Sequence, residues 1–364
     1  MTTRLQALYH LSDNPQPLLF LAPMAGFTNA PMRMISSDYG ADLTFTEMTS
    51  DMGVLRAEPK SWSLLERAHN EDNVVAHLYG SNPDSLAEAA RRVEAMGGFA
   101  GIDLNAGCPV HKVKRSGAGA ALINDPALLY RILKAMRKST TLPLSLKTRL
   151  GTHPGRIAIF DILKAAQDAG VDALAVHARF TSQGHGGEPD LELLARVKAV
   201  ATIPVIGNGG IRSAWDAWRM LTISRVDALM IARCAIGNPW IFNDIRRGLE
   251  SEEPPEIYEP THGRTKRDLN ELHTLFLRHL NDENVFLSQI RDRFNLPETA
   301  LSIEKSLATT FRCHLFRYLH GLKGSSYLRS HLNQIATTPE IIAAVESCIE
   351  RERAFRIAGA KTHP

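Results

Sequence analysis

Eight short apolar runs, each leading through a Gly-rich or polar loop into an amphipathic helical stretch, predict an α/β chain closed as a (β/α)8 TIM barrel, followed by a small all-helical bundle domain. A second observation favours closure. The runs are almost continuously apolar, as strands buried on both faces are. A third is the change beyond about residue 264, where helical periodicity continues and strand signals stop.

The predicted strands are Leu18–Met24, Leu43–Met48, Val74–Tyr79, Gly101–Asn105, Leu142–Thr148, Ala173–His177, Ile203–Gly207 and Ala228–Ala232. Helix boundaries are legible between them. Asn82 precedes Pro83–Met96 and Asp125 precedes Pro126–Arg137, each offering a side-chain oxygen to the open amides of a first turn. Ser213 opens Ala214–Thr222 in the same way, and Gly170 ends Ile157–Ala169. A doubly wound open sheet is the alternative arrangement. No GxGxxG opens a helix after the first strand, which argues against a Rossmann dinucleotide site.

Composition narrows the class. With 364 residues, 44% apolar and 22% charged, the chain is an ordinary globular protein with room for more than one domain. The net charge of +3 permits a nucleic-acid partner without demanding one. Cys108, Cys234, Cys313 and Cys348 lie far apart with no CxxC pair, which argues against a disulfide framework or a zinc ribbon and for a reducing cytoplasm. No apolar run approaches the roughly 18 residues of a membrane span, and the first residues lack a signal peptide's apolar core. The expectation is a soluble cytoplasmic protein with no metal and no membrane partner. Its parts are a barrel over 1–248, an acidic Pro-rich linker over 249–263 and a helical domain over 264–364.

A barrel carries its chemistry at the carboxyl ends of its strands. The polar residues of this chain collect there: Pro23-Met24-Ala25-Gly26, Glu47, His77, Asn105, Cys108, Lys147, Arg149, His177, Arg179, Asn208-Gly209-Gly210 and Arg233. Singly, each has an ordinary explanation, such as a satisfied core histidine or a surface lysine. Together they mark one end of the barrel. Cys108 sits between Gly107 and Pro109, so its sulfur belongs to a loop that a substrate could reach. Asn208–Gly210 and Ala232-Arg233 follow strands seven and eight, where barrels commonly hold a phosphate. In the helical region, Phe311–Tyr318 with Lys323, Tyr327 and Arg329 interleaves cations and aromatics. That pattern suits an RNA surface or an amphipathic helix whose aromatics face a core.

The segments Ala22-Pro23-Met24-Ala25-Gly26, Thr46-Glu47-Met48, Asn105-Ala106-Gly107-Cys108-Pro109, Leu146-Lys147-Thr148-Arg149, His177-Ala178-Arg179, Asn208-Gly209-Gly210-Ile211 and Ala232-Arg233 with Gly237-Asn238-Pro239-Trp240 stand in this order. In them the chain resembles the tRNA-dihydrouridine synthase family over nearly its whole length. The resemblance implies an FMN-dependent enzyme that reduces the C5–C6 bond of specific uridines in tRNA, with NADPH as reductant. It implies Cys108 as proton donor and Lys147 as its catalytic companion. It further implies cofactor contacts from Pro23, Met24, Ala25, His77, Asn105, Lys147, His177, Asn208, Gly209, Gly210, Ala232 and Arg233. Lys112, Lys114, Arg115, Arg179, Arg312, Arg317, Lys323 and Arg329 are the expected RNA contacts, and the expected state is a monomer. The chain departs from the family at His77, where Gln is usual, at Ala178 and Phe180 in place of Gly and Thr, and at Ala232 in place of Gly. The same reaction on rRNA, and a flavin oxidoreductase acting on a small pyrimidine-like molecule, are the alternatives. A basic helical appendage speaks against the second, since a free base needs none.

Overall fold

The computed structural model describes residues 16–69, 71–251, 253–256, 267–295, 303–331 and 335–360. The barrel strands are β1 (Leu18–Leu21), β2 (Leu43–Phe45), β3 (Val74–Tyr79), β4 (Gly101–Ala106), β5 (Leu144–Arg149), β6 (Ala173–His177), β7 (Val205–Asn208) and β8 (Ala228–Ile231). Hydrogen-bonded neighbours run β2-β1-β8-β7-β6-β5-β4-β3, all parallel, and β3 pairs back onto β2 to close the ring.

Side-chain alternation along each strand sorts residues between two cores. Leu18 and Phe20 join Leu43, Phe45, Val75, Ile206 and Met230 inside the barrel. Leu19 and Leu21 join the larger core between the sheet and the surrounding helices. Continued toward the carboxyl ends, the inward set becomes polar: His77, Asp103, Asn105, Ser145, Lys147, His177 and Asn208. The floor of the barrel is therefore sealed by apolar packing and its upper half is left for chemistry.

Around the strands lie α1 (Ala30–Asp38), α2 (Pro83–Met96), α3 (Pro126–Ser139), α4 (Ile159–Ala169), α5 (Leu191–Val200), α6 (Ala214–Ser224) and α7 (Ile241–Gly248). The expected caps form. Asn82 accepts from the Asp84 and Ser85 amides, Asp125 from Leu128, and Ser213 from Asp216, while Gly170 closes α4 in the left-handed region. Some boundaries differ. β1 ends at Leu21, not Met24: Ala22 N still donates to Ile231 O at 2.8 Å, but Pro23 has no N–H to extend the ladder. β2 ends at Phe45, and Thr49–Ser50 returns as a short strand beside Leu78 and Tyr79. Gly151–His153 and Arg156–Ile157 pair as an antiparallel hairpin, so α4 begins at Ile159, not at 157.

Beyond the barrel are α8 (Leu269–Arg293), α9 (Ile303–Leu319), α10 (Ser325–His331) and α11 (Thr338–Ala360). Much of the expected linker, 252 and 257–263, lies outside the described residues. The helices share a core in which Leu272, Phe276, Phe311 and Leu315 pack with Ile35 of α1 and Trp240 before α7. Polar ties cross the same seam. Asn29 Nδ2 donates to Glu283 Oε2 at 2.6 Å, Arg293 pairs with Glu66 at 2.5 Å, and Arg278 pairs with Asp38. Among the described residues no helix is long and apolar enough to cross a membrane, and no cluster of three or more His, Cys, Asp or Glu side chains could hold a metal ion.

Candidate active site

A cavity of about 550 Å³ opens at the carboxyl ends of the strands, within the range typical of ligand sites. Cys108 lines it, half-buried, on the loop after β4. Two local devices set that loop. Asn105 Oδ1 accepts from the Gly107 and Cys108 amides at 3.0 and 2.9 Å, turning the chain immediately after the strand. The Cys108 carbonyl then accepts from Ala120 N at 3.0 Å. Gly119, at φ +60°, makes that approach possible, since a Cβ there would stand 2.9 Å from the Cys108 oxygen.

Parallel register brings the next residues level. Asn105 lies opposite Lys147, and Asn208 opposite His177. Lys147 Nζ donates to Asn208 Oδ1 at 3.1 Å, and Asn208 Nδ2 donates to Met230 O at 2.7 Å, so the ammonium is aimed across the cavity. Burial, then the Arg149 charge, push Lys147 down to about 8. His177 is held far below its ordinary value by burial and then by Lys147, Arg149 and Arg179, and is neutral. Arg179 Nη1 lies 3.2 Å from His177 Nε2. A guanidinium can only donate, so this nitrogen accepts and the ring proton sits on Nδ1.

The loops after β7 and β8 form the far wall. Gly209 and Gly210 have φ of +116° and +77°, and a Cβ on Gly209 would lie 2.8 Å from the His177 ring. Any other residue would fill the cradle. Arg233, exposed on the turn Arg233–Ala235, donates to His185 O at 3.3 Å. The cationic side chains lining the cavity are Lys147, Arg149, Arg179, Arg212, Arg233 and Arg317, against the single carboxylate of Glu188. This donor set and the glycine cradle fit a phosphate-bearing ligand. Pro23, Met24, Ala25, His77, Asn105 and Ala232 line the same space.

Expected RNA contacts separate into two groups. Lys112, Lys114 and Arg115 are exposed on the short helix His111–Arg115 beside the Cys108 loop, Lys323 and Arg329 are exposed, and Arg317 reaches the cavity rim. Arg179 departs from expectation. It is 5% exposed, with Nε and Nη2 donating to Gly187 O at 3.0 and 2.7 Å, so it braces the cavity wall. Arg312 is half-buried, with both Nε and Nη2 on Ile335 O at 3.2 and 2.5 Å. Phe311 and Tyr318 lie in the helical core, so only part of the basic aromatic segment is a surface; the Tyr327 side chain lies outside the described residues. Phe316 and Phe355 instead carry Arg329 and Lys323 over their rings, at 4.9 and 4.1 Å. Arg149, Met48, His185, Glu188 and Arg212 also line the cavity and were not among the expected contacts. Arg149 was legible as the inward position two residues after Lys147. His185 and Glu188 come from an irregular loop that carries no such signal.

A polar cavity above the sealed floor of a closed parallel barrel, cationic and with a thiol on one loop, is the arrangement of a barrel enzyme with a site suited to an anionic ligand. The family model described as Dihydrouridine synthase (Dus) matches residues 20–354, and the chain belongs to that family. It is 34% identical over 334 residues to tRNA-dihydrouridine synthase B of Pasteurella multocida, covering 90% of this chain and 91% of that one. It is similarly 33% identical over 340 residues to tRNA-dihydrouridine synthase B of Vibrio cholerae, covering 93% and 96%. Against a probable tRNA-dihydrouridine synthase of Treponema pallidum the identity is 35% over 267 residues, covering 70% and 78%.

Proposed function

We propose that the protein, a cytoplasmic monomer, reduces the C5–C6 double bond of specific uridines in tRNA to 5,6-dihydrouridine, with FMN in the barrel cavity, NADPH as reductant and Cys108 as proton donor. The observation that carries this reading is the convergence of Cys108, Lys147 and the Asn208–Gly210 and Arg233 loops on one cavity. A flavin bound there supplies hydride to C6 of the uracil ring. The tRNA substrate is supported by the relatives' names.

The chain's own residues divide the work. Arg233 and the amides of the Gly209–Gly210 loop hold the phosphate. Lys147, steadied by Asn208, holds a positive charge in the cavity that would stabilise the negative charge a bound flavin gains on reduction. Cys108 Sγ–H gives its proton to C5 of the base, held in place by the Asn105 turn. Since Cys108 lines a cavity, it meets only a base turned out of its stack. Exposed Lys112, Lys114 and Arg115 stand where backbone phosphates flank such a base, with Arg317, Lys323 and Arg329 farther along.

The test separates the two half-reactions. Cys108→Ala should bind FMN and oxidise NADPH as the parent does, yet accumulate dihydrouridine about 10²–10⁴ times more slowly. Arg233→Ala should be purified with most of its flavin gone. Wild-type turnover in Cys108→Ala removes the thiol from its role, and a colourless wild-type protein that takes up no added FMN overturns the whole reading.

A further inference from the structure

The residue at position 77 is joined to a buried relay that the proposed reaction does not use. His77 stands inward on β3 opposite Asp103 on β4, which stands opposite Ser145 on β5. His77 Nδ1 lies 2.6 Å from Asp103 Oδ2, and Ser145 Oγ donates to Asp103 Oδ1 at 2.5 Å. All three are buried, with Asp103 at 0% and His77 and Ser145 at 2% exposed. A hydroxyl donating to one oxygen and a ring nitrogen on the other are mutually satisfied when Asp103 is a carboxylate and Nδ1 carries a proton. The other ring nitrogen, Nε2, is left for the cavity that His77 lines.

Topology says which part of a ligand it meets. Around the ring of strands β3 is four steps from β7 in either direction, so His77 faces the phosphate loop from across the barrel. A ligand that placed its phosphate at Gly209–Gly210 and spanned the cavity would bring its other end toward His77. An amide side chain there would donate and accept at once with no change of charge. An imidazole with one nitrogen committed to Asp103 does one or the other at Nε2, according to whether it holds a proton.

We propose that His77, anchored by Asp103 and Ser145, takes up one proton at Nε2 when the bound flavin is reduced and releases it on reoxidation, so that this protein couples its redox chemistry to pH. The proposal rests on the flavin reading above. The balance is simple. The flavin receives two electrons and one proton, as hydride from the nicotinamide, and Nε2 receives one further proton from water. The negative charge gained by the ring is what favours the imidazolium. The charged and titratable groups around it begin with Tyr79, two residues on along β3. Asp103 and Cys108 come from β4 and its loop and Lys147 from β5, while Glu47, after β2, accepts from Gly26 N at 2.5 Å. Lys147, pushed down to about 8 by burial, can couple to the flavin as well, on the alkaline side.

The experiment is a spectroelectrochemical titration of the FMN-loaded full-length protein, giving midpoint potential against pH for the parent, H77Q, D103N and K147M. The parent should show a segment in which two protons accompany two electrons, flanked by segments with one. H77Q should keep its flavin and lose that segment, and K147M should keep it. D103N should move it to lower pH, because the imidazolium loses its counter-charge. An H77Q profile that overlays the parent's overturns the proposal. A D103N profile overlaying the parent's while H77Q differs removes the relay from it. A protein that binds no flavin defeats the functional reading instead, so the two failures are told apart.

Discussion

Lys147 is a lysine whose charge is set by opposed surroundings. Burial and Arg149 push it down to about 8, while Asp103 and Cys108 pull the other way. At neutral pH most of it is cationic, and the charge is lost as pH rises through that value. Lys147→Met keeps the length and removes the charge, so the bound flavin should become harder to reduce. A downward shift in midpoint potential of roughly 30–60 mV, a ten- to hundredfold change in bias, is the expected outcome. An unchanged potential would show that the ammonium does not act on the flavin. At this scale the sequence was informative where alternation on a strand decides the answer, as for Lys147, His177 and Asn208. It was silent for Arg179 and Arg312. A guanidinium looks the same in sequence whether it meets solvent or a carbonyl such as Gly187 O or Ile335 O, which only the folded chain brings near.

Among the elements, α8 matters most to the seam between barrel and helices. Its Glu283, 2% exposed, accepts from Asn29 Nδ2 in the loop leading to α1. Burial, and then the nearby Glu47, push its carboxyl up to about 7 despite that bond. The folded protein thus holds this proton more tightly than the unfolded chain does. The contribution to stability is complete below the ordinary carboxylate range and is lost as pH rises through about 7, to a limit on the order of 3 kcal/mol. Glu283→Gln should leave the melting temperature near pH 4 almost unchanged and raise it at pH 8. Parallel melting curves across that range check it, and equal pH dependence in the two proteins would refute the assignment. The elements themselves were largely legible, because eight apolar runs and four well-marked helix ends are local features. The Gly151–Ile157 hairpin was not, since its strands are 3 and 2 residues long and too short to show a period.

For the molecule as a whole, the exposed cations among the expected RNA contacts beyond the cavity fall in two places, one beside the Cys108 loop and one on the helices at Lys323 and Arg329. If both track a single RNA, Lys112→Ala, Lys114→Ala and Lys323→Ala should each weaken tRNA binding. Each should also lower the slope of log affinity against log salt by somewhat under one unit. Arg312→Ala should instead lower the melting temperature with little change in slope, because its guanidinium holds the backbone at Ile335. Fluorescence titrations over a salt series distinguish the two. Finally, Arg149 donates to Gly107 O at 2.9 Å, to Gly184 O at 2.8 Å and to Phe180 O at 3.3 Å, so one side chain clasps the loop after β4 to the loop after β6. These two loops of the rim are thereby tied to one another and do not move as independent flaps. Deuterium exchange at the amides of residues 180–184 should consequently speed up together with exchange in the loop after β4 when Arg149 is replaced by Met, although the two loops belong to different strands.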